Sequence, residues 1–182
     1  MKTPTFAATA ALILAVAAPV AGQQVTPLHP GKGGSPHVRA SWTIDGAAIS
    51  IEYGRPALKG RAVGKDVAPF GQVWRTGADE ATTLKTDKML MFGSVHLAPG
   101  TYTLYTLPGD QGWQLIINKQ TGQWGTVYDQ AQDVARVPMT VGKAPAAAEA
   151  LTLSIDDTPA GATLHIDWGT TRASVNFSAM SF

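Results

Sequence analysis

Val38-Arg39-Ala40-Ser41-Trp42-Thr43-Ile44-Asp45-Gly46-Ala47-Ala48-Ile49-Ser50-Ile51-Glu52-Tyr53 is the stretch that decides the fold class of this chain. Val38, Ala40, Trp42 and Ile44 alternate with Arg39, Ser41, Thr43 and Asp45. Ile49, Ile51 and Tyr53 alternate with Ala48, Ser50 and Glu52. A period of two puts one set of side chains on each face, as half-buried strands require. Asp45-Gly46 between the two runs is a hairpin turn signal.

The same signals recur towards the C-terminus. Thr82 to Thr86 and Met89 to Met91 flank Asp87-Lys88 and are expected to form a hairpin. Thr101 to Leu107 lies between Pro99-Gly100 and Pro108-Gly109, and Trp113 to Ile117 is apolar on both faces. Leu151, Leu153 and Ile155 alternate with polar residues, as do Leu164, Ile166 and Trp168, and Val175 and Phe177 close the series. Helix formers gather only in Lys143 to Ala150, where Pro145 intervenes, so a short helix and an Ala-rich surface loop are both open. Short strands separated by Gly/Pro turns predict an all-β fold, an antiparallel β-sandwich of jelly-roll or Ig-like type, as a single domain over residues 38–182.

Ahead of that domain, Lys2 precedes a weakly apolar run from Phe6 to Ala18 and then Val20-Ala21-Gly22. This is the pattern of a secretory signal peptide over residues 1–22. Extended from Phe6 as far as Gly22, the run barely reaches the roughly 17 residues that a membrane span needs, which leaves a retained anchor as the alternative to cleavage. Residues 23–37 hold Pro27, Pro30, Gly31, Gly33, Gly34 and Pro36, and are expected to be a mobile tether or an extended lead-in. Periplasmic or secreted placement follows, with no membrane insertion once the signal is cleaved. The absence of cysteine among the 182 residues excludes a lipid anchor at the cleavage site, disulfides and thiolate metal ligands.

A formal net charge of +1 argues against nucleic-acid partners, which need a basic field. Charge is nevertheless uneven: Arg55, Lys59, Arg61, Lys65 and Arg75 are opposed only by Asp66 between Tyr53 and Arg75. Two segments concentrate polar chemistry there. They are Tyr53-Gly54-Arg55-Pro56-Ala57-Leu58-Lys59-Gly60-Arg61 and Trp74-Arg75-Thr76-Gly77-Ala78-Asp79-Glu80-Ala81-Thr82. Arginine offers a planar fork of donors suited to carboxylate, phosphate or sulfate. One expectation is therefore a groove formed by Tyr53, Arg55, Lys59, Arg61, Trp74, Arg75, Asp79 and Glu80, holding a small anionic or sugar-like ligand. The other is an internal network, with Arg75 paired to Glu80 or Asp79 and Arg55 or Arg61 paired to Asp133. Breaking a buried pair of that kind costs about 3–5 kcal/mol, so a fold can depend on one.

Those segments, with Gly100-Thr101-Tyr102-Thr103-Leu104, Trp113, Ile117-Asn118, Trp124-Gly125, Asp133 and Arg136, resemble the hallmark run of a family of exported bacterial β-domains of unknown function. The resemblance covers roughly Val38 to Phe177. It implies kinship and an exported setting, and it brings no established activity. The family's pattern usually has an amide where this chain has Asp79.

Glu80 and Asp79 are the weak candidates for catalytic roles, in a hydrolase acting on glycans or similar extracellular polymers. Glycosidase chemistry sets two carboxylates roughly 5–10 Å apart, and Glu80 with Asp133 or Asp129 is a pair that suits it. A structural cell-envelope domain is the third alternative. Trp42, Trp113 and Trp168 are expected in the core, while Trp74 and Trp124 are open between core plug and ligand platform. Of the four histidines, His29 and His37 fall in the tether, and His165 shares a strand face with Asp167. Two ligands do not make a metal site, so neither a metal nor another cofactor is expected.

Overall fold

The computed structural model describes residues 22–180. The expected signal peptide thus lies outside the described residues, apart from Gly22. Ten strands follow: β1 (Gln24–His29), β2 (His37–Ile44), β3 (Ala47–Gly54), β4 (Thr83–Thr86), β5 (Met89–Phe92), β6 (Val95–Leu97), β7 (Gly100–Leu107), β8 (Trp113–Asn118), β9 (Asp133–Thr158) and β10 (Gly161–Met180). They form one antiparallel sheet in the order β1-β2-β3-β4-β7-β8-β9-β10-β5-β6, which does not close into a barrel. The all-β, antiparallel expectation holds. This strand order carries no assignment to the jelly-roll or Ig-like type. Among the described residues no helix is long and apolar enough to cross a membrane.

The β2–β3 hairpin shows why the alternation was informative. Asp45 and Gly46 both have positive φ, at 48° and 75°, and Ile44 pairs with Ala47 across the turn. A two-residue turn of this kind matches the right-handed twist of the strands it joins. Ala40, Trp42, Ile49 and Ile51 then face inward, into a cluster that also holds Leu151, Leu153, Leu164 and Ile166 of β9 and β10. Strands far apart in the sheet order therefore share one core. Tyr53 completes that contact: its hydroxyl accepts a hydrogen bond from the Leu153 N–H at 3.0 Å.

β9 and β10 are long because each serves two parts of the sheet. Residues 133–139 of β9 pair with β8, and its remainder pairs with β10. The end of β10, Ser178–Met180, turns to pair with β5.

Two local expectations are corrected. Asp87-Lys88 does not close a hairpin: β4 pairs with β3 and β7, whereas β5 pairs with β10 and β6. Residues 143–150 are neither helix nor loop. They belong to β9, where Lys143 opposes Thr171 and Ala148 opposes Gly169, leaving a bulge that contains Pro145. A bulge is where a sheet tolerates proline, because no ladder N–H is demanded there. Of the two readings of residues 23–37, mobile tether or extended lead-in, the extended one is seen, since β1 pairs with β2 from Gln24↔Ser41 to His29↔His37. All six residues of β1 are exposed; backbone pairing and the stacking of His29 on His37 hold it, and no hydrophobic pattern announces it.

Candidate functional site

The long connection between β3 and β4, residues 55–82, contains both polar segments. Segments of that length without regular structure are commonly functional. It is tied to β9, to β7 and to the 123–125 turn. Leu58 N–H donates to Glu149 O at 2.9 Å, and Leu151 N–H donates to Pro56 O at 3.0 Å. Trp74 exchanges two backbone hydrogen bonds with Thr106 of β7, at 2.7 and 2.9 Å. Gly125 N–H donates to Asp79 O at 2.8 Å, and Ala81 N–H to Gln123 O at 3.1 Å. Between the last two ties, Thr76 sits at φ 53°. A β-branched residue there is strained by about 1–3 kcal/mol. The Thr82 hydroxyl, donating to Thr76 O at 2.9 Å, helps to hold it.

A cleft of about 360 Å³ lies under this connection. Arg61, Asp66, Trp74, Arg75, Tyr105, Tyr128 and Trp168 are among its walls. Trp74 stacks on Trp168 with ring centres 5.3 Å apart and meets Trp113 edge-on at 6.3 Å. Trp74 is thus both cleft wall and core plug. The Arg75 Nε–H donates to Gly77 O at 3.2 Å. Arg61 donates to Leu58 O at 2.9 Å and to Ala57 O at 2.7 Å. Tyr128 donates to Asp133 at 2.6 Å and accepts from Arg136 at 2.8 Å. Burial first, then the Asp133 carboxylate, push its phenol up to about 12, so it stays a neutral hydroxyl.

The expected arginine–carboxylate network is absent among the described residues. Asp133 takes Arg136, Tyr128 and Asn118 as partners instead. Arg55 donates to Leu151 O at 3.1 Å and to the Thr152 hydroxyl at 3.0 Å, away from the cleft walls. Lys59 is exposed, with its backbone N–H donating to Glu149. Tyr53 is buried in the core. Of the eight expected groove residues, Arg61, Trp74 and Arg75 line the cleft, and Tyr53, Arg55, Lys59, Asp79 and Glu80 do not.

Asp79 and Glu80 belong to a second cluster. Asp79, at φ 60°, accepts hydrogen bonds from the N–H groups of Lys32 and Gly33, at 2.9 and 3.4 Å. The His37 Nε2 lies 3.3 Å from Glu80 Oε2 and 3.6 Å from Asp79 Oδ2. Neither His37 Nε2 nor Glu80 Oε2, both buried atoms, makes a hydrogen bond. Leaving a buried polar group unsatisfied costs about 1–3 kcal/mol. Burial first, then His29, lower the His37 pKa against the pull of Glu80 and Asp79. His29 stacks on His37 with ring centres 4.3 Å apart. Trp124, 36% exposed, carries the Lys32 ammonium over its ring at 5.2 Å.

His165 and Asp167 take different hydrogen-bond partners. His165 contacts Asp156 at 3.1 Å and Ser174 at 2.8 Å, while Asp167 accepts two hydrogen bonds from Arg172, at 2.7 and 2.6 Å. Sequence reasoning missed Tyr105, Tyr128 and Trp168 as cleft walls, and His29 and His37 as a pair. Trp168 alternates like a core residue, and it is one. The histidine pair was visible only as two rings flanking a Gly/Pro-rich turn.

No curated protein and no solved structure shows significant similarity to this chain. The family model described as "Protein of unknown function (DUF2911)" matches residues 35–177, which include β2 to β9, most of β10 and both clusters except for His29 and the 31–33 turn. The chain belongs to the DUF2911 family.

Proposed function

We propose that this chain is a binding module that takes a small anionic or sugar-like ligand in the cleft beneath residues 55–82, in an exported setting. One observation carries the reading. Arg61 and Arg75 line one cleft, neither is ion-paired among the described residues, and the rings of Trp74, Tyr105, Tyr128 and Trp168 are among its walls. Guanidinium groups fix an anion by paired hydrogen bonds, and aromatic faces cover the apolar side of a sugar or organic acid. The signal-peptide pattern supports the exported setting. No hydrolase arrangement gains support, because neither Asp79 nor Glu80 lines the cleft.

A thermal-shift screen of phosphate, sulfate, small carboxylic acids and monosaccharides tests this. At least one class is expected to raise the melting temperature. Arg75→Ala should abolish that rise and move the unliganded melting temperature little, because Arg75 makes one long hydrogen bond. A large loss of unliganded stability would identify Arg75 as a loop pin and remove the binding reading.

A further inference from the structure

We propose that His29, His37 and Glu80 form a binding site for a divalent transition-metal ion of the zinc class. The three side chains come from β1, the start of β2 and the end of the 55–82 connection. Each offers one ligand atom, and the three atoms lie within 4.8 Å of one another. The donor set selects the ion class. Two imidazoles and a carboxylate suit borderline ions such as zinc, whereas calcium and magnesium favour all-oxygen sets.

The spacing supports the same assignment. Ligands bound at about 2.0–2.2 Å around a tetrahedral ion stand roughly 3.3–3.5 Å apart. His37 Nε2 and Glu80 Oε2 stand 3.3 Å apart. Neither atom has a well-aligned hydrogen-bond partner among the described residues; His37 is only 4% exposed, and the Glu80 side chain is 46% exposed. A cation bound between the two atoms would satisfy both.

Asp79 acts as the supporting carboxylate. Its Oδ2 lies 3.6 Å from His37 Nε2, and the Lys32 and Gly33 N–H groups fix it there. His29 is the ligand that must move. Its ring lies at 18° to that of His37, so their in-plane lone pairs run side by side instead of converging. Gly31 N–H donates to His29 Nδ1 at 3.2 Å, the one hydrogen bond to this ring and a contact that any binding nitrogen of His29 must give up. His29 is exposed, and the ion keeps its remaining positions for water or a further ligand.

Calorimetric titration of the untagged, chelator-treated chain with zinc sulfate tests the site. One ion per chain is expected. Outer-shell partners alone are worth about 10–100-fold in affinity, so His29→Ala and Glu80→Gln should each weaken binding by at least about 100-fold. Both positions are accessible enough for the variants to fold, which a circular dichroism melt verifies. His96→Ala, an exposed histidine outside the cluster, should leave binding unchanged. Cobalt should give the intense visible bands of a low-coordinate site in the parent chain, and these should vanish in Glu80→Gln. Absence of stoichiometric uptake, or uptake at full strength in either His29→Ala or Glu80→Gln, overturns the proposal.

Discussion

Gly54 shows how one residue sets the spacing of the His37 cluster. A methyl group there would stand 2.5 Å from Ala78 O and 2.7 Å from His37 Nε2. Real Cβ atoms do not approach so closely, and the first obstacle is backbone. Gly125 has the same role beside the cleft, where a methyl would meet Arg75 Cδ at 2.8 Å and Asp79 O at 2.9 Å. Both glycines therefore let two chain segments touch. Overpacking typically costs about 1–3 kcal/mol, and Gly54→Ala is expected to lie within that range. Gly142→Ala is the control: nothing lies within 4 Å of its added methyl, and the change should stay within about 0.5 kcal/mol of neutral. Urea unfolding of the two variants measures the difference. The Tyr53-Gly54-Arg55-Pro56 segment was conspicuous in the sequence for its arginine. Its structural necessity lies in the glycine, which no local pattern marks, because Ala78 and His37 reach it only through the tertiary fold.

Strands were legible wherever one face is buried and the other wet. β2 and β3 have that form, with Arg39 and Glu52 paired at 2.6 Å on the solvent side. Partners were not legible, because alternation records which face is buried and nothing of which edge is paired. That is why β4 and β5, adjacent in sequence, sit at different places in the sheet. β9 was illegible over residues 143–150 for another reason: an Ala-rich bulge has helix-forming composition and strand geometry. The candidate site divides in the same way. Arg61, Trp74 and Arg75 were conspicuous as dense polar chemistry in one loop, whereas His37 reads as the end of a tether until β1 is seen beside it. The β9–β10 pair also places His165 against Asp156, with Ser174, Arg172 and Asp167 nearby. Burial, reinforced by the Arg172 cation, lowers the His165 pKa from its ordinary 6.5 despite Asp156 and Asp167. The folded chain then refuses a proton that the unfolded chain accepts. Stability from this ring is complete above about pH 6.5 and is lost as pH falls through the folded-state value. Urea midpoints measured from about pH 7.5 down to about pH 5 should fall, and His165→Gln should flatten that fall. An unchanged pH profile in the variant would assign the loss to other groups.

At the scale of the whole molecule, two kinds of attachment hold the chain together. β2 to β10 bury a common apolar core, and each fully buried leucine or isoleucine in it contributes about 1.5–3 kcal/mol. β1 contributes backbone pairing and exposed side chains only, and it brings His29 to His37. The family pattern likewise begins at residue 35, after β1. The core should therefore survive loss of β1 while the second cluster should not. A chain starting at Ser35 is expected to unfold in one cooperative transition, with a midpoint lowered only modestly. It should keep any ligand response of the cleft, since Arg61, Trp74 and Arg75 are anchored to β7, β9 and the 123–125 turn without help from β1. Zinc uptake should be lost, because His29 is gone and Asp79 no longer has the Lys32 and Gly33 N–H groups to hold it. The bare edge of β2 should also raise self-association, since an exposed strand edge is a template for pairing. Thermal melts, calorimetry with zinc and sedimentation of the shortened chain separate these effects. A shortened chain that fails to fold would mean that β1 is integral to the core. Zinc uptake at full strength in the shortened chain would place the ion somewhere other than His29.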